Sequence, residues 1–163
     1  MRAEEPIMIA FEEILLHSGA LVYKTKGVSM QPMLRQNRDL VIIRPSFSRL
    51  NQYDVALYKS GDLYILHRVI GVRDDHYLIR GDNTYVLETV PHEAVIGVLT
   101  EFRRKGKQFS VDNRGYKLYV RFWHAIYPLR YGLYCFRRLT VRTARKLGIL
   151  PIVKRLMRKG NVM

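Results

Sequence analysis

Between Ala20 and Asp112 the chain alternates short β-rich runs with turn residues, and this rhythm constrains the fold more than any other feature. The runs are Leu21–Thr25, Leu40–Arg44, Val55–Tyr58, Leu63–Val72, Tyr77–Arg80, Ala94–Arg103 and Gln108–Val111. Turn formers separate them: Asn37-Arg38-Asp39, Arg44-Pro45, Ser60-Gly61-Asp62, Asp74-Asp75, Gly81-Asp82-Asn83 and Lys105-Gly106-Lys107. Many short strands with such punctuation predict a mainly β (α+β) fold built on a coiled, partly closed antiparallel sheet. Lys105-Gly106-Lys107 predicts a hairpin tip.

The flanks read differently. Ile7–His17 carries apolar residues at 7, 8, 11, 14 and 15, a helical spacing that stops at Ser18-Gly19. After Asn113-Arg114-Gly115 the chain reads as helical to about Lys159, with Pro128 and Pro151 as breaks or kinks. The expected organisation is an N-terminal helix (1–19), a β domain (20–112) and a basic, aromatic helical extension (113–163).

Charge follows the same division. Residues 1–112 hold 15 Lys/Arg and 14 Asp/Glu, whereas residues 113–163 hold 13 Lys/Arg and no acid. The first part is a nearly neutral globule; the second suits an anionic partner. Its aromatics, among them Trp123, Tyr127, Tyr131 and Tyr134, fit an anionic membrane surface best. Nucleic acid is the weaker reading. The single cysteine, Cys135, rules out an internal disulfide framework. His17, His76, His92 and His124 lack ligand-like spacing, so no metal and no cofactor are expected.

The chemistry-bearing segment is Gly27-Val28-Ser29-Met30-Gln31-Pro32-Met33-Leu34. Met30, Met33 and Leu34 are expected to anchor this turn in a core and fix the Ser29 hydroxyl at the surface. A candidate base, His67, follows in Leu66–Gly71, and an acid, Asp82, in Gly81-Asp82-Asn83.

These segments, in this order, resemble the superfamily of signal peptidases and LexA-type self-cleaving repressors. Ser29-Met30-x-Pro32-x-Leu34 is similar to the nucleophile box, and Asp54–Tyr58 to the strand before the base. Leu66–Val72 is similar to the general-base box, and Arg80–Asn83 followed by Val95–Val98 to the closing strands. The resemblance covers roughly residues 20–102. It implies the coiled sheet of that superfamily and a serine endopeptidase acting on a protein or on a precursor bearing a leader or signal peptide. His67 stands where many members carry Lys, which resembles the archaeal and endoplasmic-reticulum branch.

The implied roles are Ser29 as nucleophile and His67 as base. Asp82 is the orienting acid, with Glu88 as the alternative. Backbone N–H groups of Val28 and Ser29 would receive the oxyanion, and Gly27, Met30 and Pro32 would position substrate. No apolar run is long enough for the usual N-terminal membrane anchor. The expected location is therefore cytoplasmic, with peripheral contact at the inner membrane surface through 113–163. A LexA-like non-catalytic module using its basic tail is the alternative. Self-cleavage is disfavoured by the lack of an Ala-Gly-type site before Ser29.

Overall fold

The computed structural model describes residues 10–146. Among them the elements run α1 (Phe11–Ser18), β1 (Leu21–Lys24), β2 (Leu40–Arg44), β3 (Val55–Ser60), β4 (Leu63–Val72), β5 (His76–Arg80), β6 (Glu88–Pro91), a 3-10 turn (His92–Ala94), β7 (Val95–Arg104), β8 (Lys107–Ser110), α2 (Arg114–Ala125) and α3 (Tyr127–Lys146). The mainly antiparallel β architecture is the one expected. The strands form one sheet in the order β1-β2-β7-β3-β4-β5-β6, with β8 on β7. The sheet is open, and β1 and β6 are its ends. The chain divides between Val120 and Arg121 into two compact units.

Strand β3 is the centre of the first unit. Val55, Ala56, Leu57 and Tyr58 are all buried, because β3 is covered on both faces. Alternation along the strand sends Val55 and Leu57 into one core and Ala56 and Tyr58 into another. The first core also holds Leu15, Leu21, Met30, Met33, Leu34, Ile43, Leu99 and Phe102. The anchoring expected of Met30, Met33 and Leu34 is found: they are 5%, 2% and 1% exposed.

Local signals explain several boundaries. Gly19 ends α1 in the left-handed conformation (φ 65°), donating its N–H to Leu15 O. The start expected for this helix, from Ile7, lies outside the described residues. Lys105 and Gly106 both have positive φ, 50° and 77°, and close the β7–β8 hairpin where Arg104 faces Lys107. Asn113 caps α2 by accepting Gly115 N–H on its side chain. The helix break falls at Ile126, ahead of Pro128, which sits in the first turn of α3 where its missing N–H costs nothing. Pro151 lies outside the described residues. One strand, β6, was not expected; its short Glu88–Pro91 run pairs with β5.

Candidate active site

His67 lies on β4 opposite Ala56 of β3 and is 8% exposed. Alternation gives it the same face as Val69, and so the second core. Tyr58, two residues beyond Ala56, is its diagonal neighbour across the strand pair. Glu88 opens β6, two strands over. Its Oε1 lies 2.9 Å from His67 Nδ1, and its Oε2 accepts the Tyr58 hydroxyl at 2.5 Å.

The expected orienting acid was Asp82, with Glu88 as the alternative; of the two, Glu88 is the one hydrogen-bonded to His67. Asp82 faces Arg68, the next residue along β4, whose side chain points the opposite way from His67. The Arg68 guanidinium donates to both Asp82 oxygens at 2.8 and 2.7 Å, with both side chains fully buried. It also donates to Tyr53 O and Tyr116 Oη, each at 2.9 Å, and to Met33 Sδ at 3.1 Å. Burial opposes the charge on Arg68, but Asp82 and Tyr116 hold its pKa above the usual value. Asp82 thus forms a buried bidentate pair with Arg68, while Glu88 is the carboxylate within hydrogen-bond distance of His67 Nδ1.

Gly81 brings the base and the serine turn together. A methyl group built on Gly81 would sit 2.8 Å from Ser29 O and 3.0 Å from His67 Nε2. No side chain fits between them, so glycine is required by close approach rather than by φ. Asn83 completes the joint: its N–H donates to Ser29 O at 2.7 Å and its side-chain amide to Val28 O at 3.3 Å. His67 thus turns Nδ1 to Glu88 and Nε2 toward the Ser29 segment. An ionised carboxylate only accepts, so this contact selects the neutral tautomer with hydrogen on Nδ1 and the lone pair on Nε2. Burial pulls the His67 pKa below its ordinary 6.5, and Glu88 offsets part of that. Among the described residues the Ser29 hydroxyl makes no hydrogen bond to His67.

A cleft of about 440 Å³ opens beside Ser29. Its walls include Tyr23 and Thr25 from the β1 side, Gly27, Ser29 and Met30 from the turn, and Asp62 to Leu66 from the start of β4. Among the described residues β1 pairs only with β2, and the Leu63–His67 part of β4 only with β3, so both present unpaired margins there. Gly27 lines the cleft with φ +80°, a conformation that favours glycine. Met30 reaches the cleft from the core. Val28 is exposed, and Pro32 is half-buried in the turn but does not line the cleft. Among the described residues no group of three or more His, Cys, Asp or Glu is arranged to hold a metal.

No protein-family profile matches the chain. A curated relative, Signal peptidase I V of Bacillus subtilis (strain 168), is 33% identical over 67 residues, 39% of this chain and 40% of the relative. This match supports a signal peptidase-like relationship over that shared part. The matched segment spans less than half the relative's length.

Proposed function

We propose that the chain is a serine endopeptidase in which Ser29 is the nucleophile and His67 the general base. The convergence at Gly81 carries the reading: the lone-pair side of a buried, carboxylate-oriented imidazole meets the serine turn. In the proposed reaction Ser29 Oγ attacks a peptide carbonyl while His67 Nε2 takes its proton. The imidazolium, faced by Glu88, gives that proton to the leaving amine. Water then releases the acyl group from Ser29 with the same base. Backbone N–H groups at Val28 and Ser29 receive the oxyanion. The substrate, a protein or a leader-bearing precursor, lies extended in the cleft and pairs with the free margins of β1 and β4.

The test compares new protein N-termini by mass spectrometry in cells holding wild-type or Ser29→Ala protein at equal abundance. Termini that vanish with Ser29→Ala support the reading and identify the substrate. Unchanged termini overturn it and favour the LexA-like binding module.

A pH dependence follows from the His67 environment. The base must be neutral, and burial lowers its pKa, so the acid limb of kcat/KM is expected below pH 6.5. The same shift affects folding. The fold favours neutral His67, so its contribution is complete above pH 6.5 and lost as pH falls through the lower folded value. A pH–rate profile with an acid limb above 6.5 contradicts this assignment.

The partner proposed for α3 is an anionic lipid surface. At 3.6 residues per turn, Leu129, Leu133 and Phe136 share one side of α3, with Leu139 next to them. They are 67%, 62%, 67% and 62% exposed. Arg130 and Arg137 border one edge of this stripe, Arg142 and Lys146 the other, and α3 contains no acid. Exposed apolar residues bordered by cations suit a helix lying in the headgroup layer. Among the described residues no helix is long and apolar enough to cross a membrane. The full chain should pellet with vesicles containing phosphatidylserine but not with phosphatidylcholine alone. Binding should weaken with salt and be lost in Leu133→Glu/Phe136→Glu. Equal binding by that variant, or retention of RNA in its place, counts against the lipid partner.

A further inference from the structure

We propose that Tyr58 is a positioning residue of this site, holding the Glu88 carboxylate against His67 Nδ1; the proposal deepens the Ser29/His67 reading and rests on it. Glu88 opens a short edge strand, and its side chain is 31% exposed. Such a side chain has solvent to turn into, and one contact with His67 leaves it rotational freedom. Tyr58 removes that freedom. It is 2% exposed on β3, between β4 and β7, so packing fixes its hydroxyl.

The hydroxyl sits 3.4 Å from His67 Nδ1 and donates to Glu88 Oε2 at 2.5 Å, while Oε1 faces Nδ1 at 2.9 Å. Each carboxylate oxygen therefore has its own donor. Rotating Glu88 away would leave the buried phenol and the imidazole N–H only each other, 3.4 Å apart, a poorer arrangement than the present one. Phenylalanine would fill the same space within the second core. What the hydroxyl adds is the bond to Glu88, and through it a fixed tautomer for His67. Tyr58 thus acts through another residue and touches no reacting atom.

The test uses full-length protein with ¹⁵N-labelled imidazoles as wild type, Tyr58→Phe, Glu88→Ala and the double variant. Wild-type His67 is expected to carry its hydrogen on Nδ1. In Tyr58→Phe the ring nitrogens should shift toward a mixture of tautomers. Its titration should move to lower pH, because a carboxylate that has swung away no longer favours imidazolium. On the substrate found through Ser29→Ala, kcat should fall about 10–100-fold, the range for one hydrogen bond to a charged group, with KM unchanged. Adding Tyr58→Phe to Glu88→Ala should change nothing further.

Wild-type nitrogen shifts and titration in Tyr58→Phe would overturn the proposal. So would a Tyr58→Phe effect that persists in the Glu88→Ala background, where nothing is left for the hydroxyl to hold. The nitrogen signals do not depend on turnover. If they shift as expected but the wild-type protein cleaves nothing, the positioning role stands and the peptidase reading falls.

Discussion

Replacing His67 with Ala is expected to lower cleavage by roughly 10⁶-fold, and adding Ser29→Ala to lower it no further, because a nucleophile and its base act as one unit. A serine hydroxyl attacks poorly unless a base removes its proton as the bond forms. In the proposed site His67 is held by Glu88 on one side and faces the serine turn across Gly81 on the other. Removing either partner removes the same step. Binding in the cleft and the oxyanion donors remain, so residual activity of about 10³–10⁴ over water is expected in each variant. Single-turnover assays with purified full-length protein measure this directly. Losses that multiply in the double variant would show that Ser29 and His67 do not share a step.

Removing the Asp82 carboxylate is expected to act on stability before activity. In Asp82→Ala the Arg68 guanidinium, fully buried, would keep its charge without its partner. Breaking such a pair costs about 3–5 kcal/mol, which corresponds to roughly 6–20 °C in Tm for a chain of this size. Replacing both partners together, as Arg68→Met/Asp82→Leu, should cost less than Asp82→Ala, since no lone charge is left inside. Thermal unfolding of the three proteins tests this order. An Asp82→Ala protein of wild-type stability but without activity would return Asp82 to the role of orienting acid.

The two carboxylates show where sequence reading reached and where it stopped. Alternation within Leu66–Val69 puts His67 and Arg68 on opposite faces, and both faces of β4 are buried here. An arginine in such a strand requires an acid partner, and that signal was available to claim Asp82 for Arg68. Glu88 was harder to place, because β6 itself was not foreseen. Glu88-Thr89-Val90-Pro91 is short and ends in a proline, which suits only an edge strand. Its register on β5, with Glu88 opposite Ile79, carries the side chain to His67, and long-range register leaves no local trace.

Features that depend on neighbours in the chain were legible: the Gly19 cap, the Lys105-Gly106 turn and the apolar anchors of the Ser29 turn. The pairing of β7 with both β2 and β3 was not. It depends on irregularities between Ile42 and Ile43 and between Leu57 and Tyr58 that only the packed sheet specifies.

The unpaired margins of β1 and β4 have a consequence for timing. A site that reads main-chain hydrogen-bonding groups, as proposed, can engage only a polypeptide whose own groups are still unpaired. A segment already committed to a helix or to its own sheet is invisible to it, whatever its side chains. Cleavage then becomes a race with the folding of the substrate. The residues around the scissile bond set the rate, while the moment at which that stretch becomes structured sets the deadline.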